Sequence, residues 1–255
     1  MRSIVVILLI YMNIIKLDAI DSTNDFLKKL SRNQLLTNFT VVSTLCQTKG
    51  RGQMGTVWQS EKGKNLTISI LIKNVVSDIT KIYDLNVAVS VAVFSVLQRL
   101  QITNLSIKWP NDIMAGDKKI GGILIENRII SATEIESVVG IGLNINQSIF
   151  PDLLGATSLY NLTGHTFDID EIVQQSVLEI QQNCALICSK TNASLWQLYH
   201  TNLYKIDVPS LFKDATQNHF YGVIKGVNAL GQLRVLPTVD QVARFYGIKE
   251  ITIIS

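Results

Sequence analysis

Cysteine, proline and charge are all scarce in this chain, and each scarcity excludes something. The three cysteines, Cys46, Cys184 and Cys188, are too few and too odd in number for a disulfide framework, and their spacing matches no zinc pattern. Cys184 and Cys188 stand four apart, on one helix face, but no third or fourth ligand is near them in sequence, so ordinary core cysteines are expected. Four prolines leave no room for a proline-rich linker, and no internal repeat or low-complexity tract is visible. Charged residues are 17% of the chain and nearly cancel, 23 Lys plus Arg against 20 Asp plus Glu, for a net charge of +3. No dense basic block accompanies that small excess, so nucleic-acid binding is not expected.

Long apolar runs are also missing. Residues 4–12, behind Arg2, superficially resemble a secretory leader but are far too short to span a bilayer. Cleavage after Ala19 would remove residues 13–17, which alternate like a first strand. The expectation is a mature domain from about Met12, with residues 1–11 a dispensable extension, in a reducing, cytoplasmic setting without a membrane. What is present is apolar material, 47% of 255 residues, enough for a sizeable core in one large domain or one large and one small.

Apolar alternation predicts strands over 13–17, 40–45, 65–73, 106–108, 119–127 and 137–144. Helices are predicted from an Asp21 or Ser22 cap to Leu30, over 83–100, from Asp168 or Asp170 to about Lys190, and over 194–200. Beyond Lys205 the texture changes to short β-rich pieces, 221–225, 232–236, 241–246 and 250–254, separated by glycine turns. The organisation is an α/β domain over 12–205 and a small β-barrel over 206–255.

Three polar, glycine-bearing stretches interrupt this chain. In the first, 47–58, Gly50, Gly52 and Gly55 satisfy G-x-G-x-x-G. A dinucleotide fold would need these glycines to open a helix, but the residues that follow lack helical periodicity, and no acidic residue ends a second strand. A Walker A loop is absent from the sequence. What remains is a long flexible loop whose Lys49, Arg51 and backbone N–H groups suit an anionic ligand, or a mobile surface loop with incidental charge. The second stretch, 108–126, places Asn111 and Asp112 beside a proline turn, with Lys119 opening the next strand. A hairpin there brings Asp112 and Lys119 together, either as a surface ion pair or as a site for phosphoryl or acyl transfer. The third, 139–146, is a buried strand ending in Asn144 and Asn146, which bind phosphate or Mg²⁺ water, or merely make a turn.

Taken in order, these stretches resemble the biotin–protein ligases over nearly the whole chain. The matching residues are Asp21-Ser-Thr-Asn24, Gln47, Gly50-Arg-Gly52, Trp58-Gln-Ser60, Gly63-Lys-Asn-Leu66 and Ser69. Lys108-Trp-Pro-Asn-Asp112, Lys119, Gly122-Ile-Leu-Ile-Glu126 and Gly140-Ile-Gly-Leu-Asn144 continue the set. The resemblance implies an α+β fold: a class II synthetase-like mixed sheet with flanking helices, followed by an SH3-like β-barrel. It implies ATP and biotin as substrates with Mg²⁺, no resident metal, and transfer of biotin to a biotin carboxyl carrier protein or a carboxylase's acceptor domain.

By the same resemblance, Ser22, Thr23 and Gln47 hydrogen-bond the ureido ring of biotin, with Asn24 and Gly50 beside them. Lys119 holds the biotin carboxylate and α-phosphate, Gly122 admits close approach, and Asp112 orients the acceptor amine. Arg51 closes over the adenylate. Gly52, Gln53, Trp58, Lys108, Asn111 and Asn144 fall to the nucleotide. Many relatives carry a second arginine where this chain has Gln53, which removes one cation from the lid. Roughly twenty residues precede Asp21, too few for the helix-turn-helix domain of some members, so a monofunctional form is expected, as monomer or homodimer. A lipoate or octanoate ligase of the same fold is the nearest alternative. A non-catalytic biotin-binding module is another, against which the retained Lys119, Asp112 and Arg51 argue.

Overall fold

The computed structural model describes residues 12–131, 133–151 and 153–254. The extension read for residues 1–11 lies outside the described residues. The main sheet contains β1 (Ile14–Leu17), β2 (Val41–Thr44), β3 (Leu66–Lys73), β4 (Leu105–Lys108), β5 (Asp112–Ala115), β6 (Lys118–Ile129) and β7 (Ile135–Leu143). Their order is β1-β2-β3-β7-β6-β5-β4. β1 and β2 run parallel and every other neighbouring pair is antiparallel, so the sheet is mixed.

A parallel pair needs a crossover, and α1 (Thr23–Asn33) supplies it. Ser22 caps this helix, its Oγ accepting from the Asp25 N–H at 3.3 Å. The other helices are α2 (Ile82–Arg99), α3 (Leu159–Thr163), α4 (Ile169–Cys188) and α5 (Ala193–Thr201). α1 covers one face of the sheet, where Leu27 packs with Val42, Leu71 and Val138. α2 and α4 cover the other, against Ile68, Ile70, Val139 and Ile141. The period-2 pleat of β3 therefore sends Ile68 and Ile70 into the larger core and Thr67 and Ser69 toward α1. α2 is apolar and long enough to cross a bilayer by composition, yet more than half of it is buried in the fold, as a core helix.

The second sheet contains β8 (Pro209–Asp214), β9 (His219–Val227), β10 (Leu233–Pro237), β11 (Arg244–Tyr246) and β12 (Ile251–Ile254), in order β11-β10-β9-β8-β12 and antiparallel throughout. It is docked to the main domain through Trp109, whose Nε1–H donates to the Gly231 carbonyl at 2.8 Å. Gly231 has φ +80 and lies on the Tyr83 ring, where a Cβ would come within 2.2 Å of ring carbon.

Strands β5 and β8 and helix α3 depart from the sequence reading. Each is short, and β8 opens on a proline. The piece predicted over 241–246 shrinks to three residues, because Gln241 takes a left-handed φ of 55°.

Candidate active site

A cavity of about 380 Å³ opens between the N-terminus of α1, the glycine loop, the sheet and β12. Its lining carries four cations, Arg51, Lys108, Lys119 and Lys249, against one carboxylate, Asp112. Such a lining favours an anionic ligand.

Lys119 owes its position to an irregularity of the sheet. Asp112 pairs with Gly122 and Met114 with Lys119, and the register shifts between them. In a regular strand Lys119 and Gly122, three apart, would face opposite sides. The extra residue Ile120 turns Lys119 onto the side of Asp112. The Lys119 Nζ lies 2.6 Å from Asp112 Oδ1, and a Cβ on Gly122 would stand 3.3 Å from that ammonium. The Lys119 backbone is pinned as well: its N–H donates to the Gly155 carbonyl at 2.8 Å, and its carbonyl accepts from the Thr157 N–H at 3.0 Å. Asn111 braces the turn before β5, its Nδ2 donating to the Ile123 carbonyl at 2.8 Å.

A polar chain runs along the α1 side of the cavity. The Thr23 N–H and hydroxyl both donate to Gln47 Oε1, at 2.8 and 3.0 Å. That fixes the amide, so Gln47 keeps its Nε2 donor for another acceptor. The Ser69 hydroxyl lies 2.7 Å from Thr23 Oγ1 and 2.5 Å from Asn24 Oδ1. Asn24 Nδ2 donates to Glu126 Oε2 at 2.8 Å, and Glu126 accepts from Lys28 at 2.6 Å. Lys28 also pairs with Asp25, and Asp25 with Arg51 at 2.7 Å. Burial opposes the charge of Lys28, but its bonds to Asp25 and Glu126 outweigh that and hold its pKa above the ordinary lysine range.

The floor is made by glycines of β7. A Cβ on Gly140 would come within 2.4 Å of Asn24 Oδ1, and one on Gly142 within 2.5 Å of the Trp58 ring. Only bare backbone lets both side chains lie on the sheet here. The Trp58 indole N–H is buried and has no acceptor among the described residues, a donor left for a ligand.

The stretch read as a long flexible loop is a short hairpin. Arg51 bridges to Val57, the Trp58 N–H donates to Gly50 at 3.0 Å, and the Gly52 N–H donates to Thr56 at 2.8 Å. Met54 and Gly55 turn the tip with φ of 65° and 83°.

Of the residues singled out in sequence, Ser22, Thr23, Asn24, Gln47, Arg51, Gly52, Gln53, Trp58, Lys108, Asn111, Asp112, Lys119 and Gly122 all line this cavity. Two do not. Gly50 is buried behind it, where a Cβ would meet the Trp58 carbonyl at 2.3 Å. Asn144 is buried too: its Nδ2 donates to the Thr157 carbonyl at 3.0 Å, which ties the end of β7 to the segment before α3, and it is not among the residues that line the cavity. Sequence reasoning named Gly140 and Gly142 in a motif without giving them a role, and it missed the wall contributed by Ile248, Lys249 and β12. Two glycines inside a strand were a usable signal for the floor. Nothing local marked the wall.

Among the described residues no cluster of three or more His, Cys, Asp or Glu is placed to hold a metal ion. Cys184 is buried, which pushes its thiol up to about 12, and Cys188 is exposed.

Residues 17–145, just over half the chain, match the Biotin/lipoate A/B protein ligase family. The bifunctional ligase/repressor BirA of Bacillus spizizenii is 29% identical over 235 residues, 90% of this chain and 71% of its own. The biotin–[acetyl-CoA-carboxylase] ligase of Mycobacterium tuberculosis is 30% identical over 141 residues, 53% of this chain and 50% of its own. The biotin protein ligase of Aquifex aeolicus, solved in complex with biotin and ATP, has a TM-score of 0.78 at 25% identity, covering 95% of this chain and 98% of that one.

Proposed function

The chain belongs to the Biotin/lipoate A/B protein ligase family, and from that premise we infer an ATP-dependent biotin–protein ligase. Biotin is activated as biotinyl-5′-AMP and passed to a lysine of a carrier protein. The observation that carries the reading is the Lys119–Asp112 pair, held 2.6 Å apart by the bulge of β6 at the mouth of one cation-lined cavity.

In the first step a biotin carboxylate oxygen attacks the α-phosphorus, and the bond to pyrophosphate breaks. Two anions must approach, so an ammonium fixed between them stabilises the charge that develops. That role is assigned to Lys119, which lines the cavity beside Asp112. The free donors Gln47 Nε2 and the Ser22 hydroxyl suit the ureido carbonyl of biotin, Thr23 holding the Gln47 amide in place, and the glycine floor with the free Trp58 N–H suits the nucleotide. In the second step an amine attacks the acyl carbon and AMP leaves. The acceptor amine, with a pKa of ~10.4, must shed a proton, and the role of orienting it is assigned to Asp112, whose Oδ2 has no partner among the described residues. Arg51 closes the site over the mixed anhydride and keeps water out.

Mg²⁺ enters with ATP, as the nucleotide's own counterion. The lining offers one carboxylate, and Mg²⁺ is commonly held by few carboxylates and by substrate phosphates. The acceptor is a biotin carboxyl carrier protein or the equivalent domain of a carboxylase. The three free cysteines support a cytoplasmic setting.

The test is transfer of labelled biotin to a biotin-acceptor domain with ATP and Mg²⁺, run beside lipoate and octanoate. Biotin on the acceptor lysine, and neither other acid, is expected. Preferential transfer of lipoate or octanoate would replace this reading with that of the sister activity.

A further inference from the structure

We propose that Lys249, in the C-terminal segment, binds the β,γ-phosphates of ATP and supplies the cation that the glycine loop lacks. This rests on the ligase reading above. Three of the four cations that line the cavity are already engaged. Lys119 pairs with Asp112, Arg51 pairs with Asp25, and Lys108 lies over the Tyr204 ring at 5.5 Å. Lys249 borders the same cavity and has no ion pair, hydrogen bond or aromatic partner among the described residues. The tip of the loop, Gln53 to Val57, carries no charge at all. A triphosphate brings about four negative charges into the site, and the lysine without a partner is the one able to meet them without first giving up a bond.

The backbone gives an independent reason. Lys249 is the third residue of a four-residue turn, in which the Glu250 N–H donates to the Gly247 carbonyl at 3.1 Å and the Gly247 N–H donates to Glu250 Oε2 at 2.6 Å. Its φ is +77°, the left-handed region where a turn takes glycine or asparagine. A lysine there is strained, and such strain gathers at functional sites.

That conformation also makes a clean test, because glycine relieves the strain while removing the charge. In the full chain, Lys249→Gly should melt at or above the wild-type temperature, and Lys249→Asn serves as a second variant tolerant of the same φ. Biotin-dependent ATP–pyrophosphate exchange should show the KM for ATP and for pyrophosphate raised about fivefold to tenfold in both, an effect that shrinks at high salt. Lys249→Arg should restore most of it. Transfer from added biotinyl-5′-AMP should stay near wild type, since that intermediate has no β,γ-phosphate. An unchanged KM for ATP in both variants, or an equal fall in the transfer step, would overturn the assignment. Absence of biotin-dependent exchange in the wild type would instead overturn the ligase reading, and this proposal with it.

Discussion

Lys119 and Arg51 border one cavity and each faces a carboxylate, but the two are held very differently. Lys119 sits on a bulged strand inside the sheet, its backbone N–H and carbonyl both bonded to the 155–157 segment, its side chain 37% exposed. Arg51 sits on a hairpin that leaves the sheet, its side chain 57% exposed, and reaches the main domain through its bond to Asp25. The packed sheet costs far more to deform than a surface hairpin. Positions that must be fixed within fractions of an ångström during bond making belong on the sheet. Positions that must open for substrates and close over an unstable intermediate belong on the hairpin. On the proposed reading the sheet makes the adenylate and the loop keeps it.

That contrast can be broken by substitution. The largest effect is expected for Lys119→Ala, a loss of about a hundredfold in biotin-dependent pyrophosphate exchange, on the order of 3 kcal/mol for one transition-state contact. Exchange near wild type would show the lysine to be a bystander. Next comes Arg51→Gly, which should still form the adenylate but release it, raising biotin on bystander proteins about tenfold for the loss of one charge-assisted contact. Gly142→Ala tests the floor: its methyl would lie within 2.5 Å of the Trp58 ring, so the indole must move. A red shift of tryptophan emission and a severalfold rise in the KM for ATP are expected, and unchanged emission would count against the packing described.

The smallest effect is one of pH. The pKa of Lys28 is raised in the folded chain, so its contribution is complete below the unfolded value near 10.5 and fades as pH climbs through the folded one. The wild type should lose slightly more melting temperature than Lys28→Met between pH 9 and 11, read by calorimetry. Equal losses would show that the Asp25–Lys28–Glu126 chain does not tie α1 to the sheet.

Much of this was legible in the chain, and what was not has physical causes. The long helices and central strands carry their period over many residues, and Ser22 and Asp168 cap where expected. The pairing of Asp112 with Lys119 was readable from the turn between them. The bulge that makes it possible was not, since one extra residue leaves no mark on an apolar alternation. The hydrogen bond of Asn144 to Thr157 was not legible, because an asparagine that ends a strand looks alike whether it meets a ligand or a neighbouring carbonyl. Lys249 lies about a hundred and thirty residues beyond Lys119, in the turn before β12, and contacts distant in sequence, Trp109 on Gly231 and His200 on Val227 among them, bring that second sheet to the cavity. Long-range placement of that kind has no local signature.

The most direct measurement is a single turnover with labelled ATP and biotin, sampled by rapid quench and resolved into protein-bound and free biotinyl-5′-AMP. Wild type is expected to form the adenylate and keep it bound. Lys119→Ala should form it about a hundredfold more slowly. Arg51→Gly should form it at close to the wild-type rate and lose it to solution. If the two variants lose formation equally, or Lys119→Ala forms the adenylate normally and leaks it, the division between a sheet that makes and a loop that keeps is contradicted.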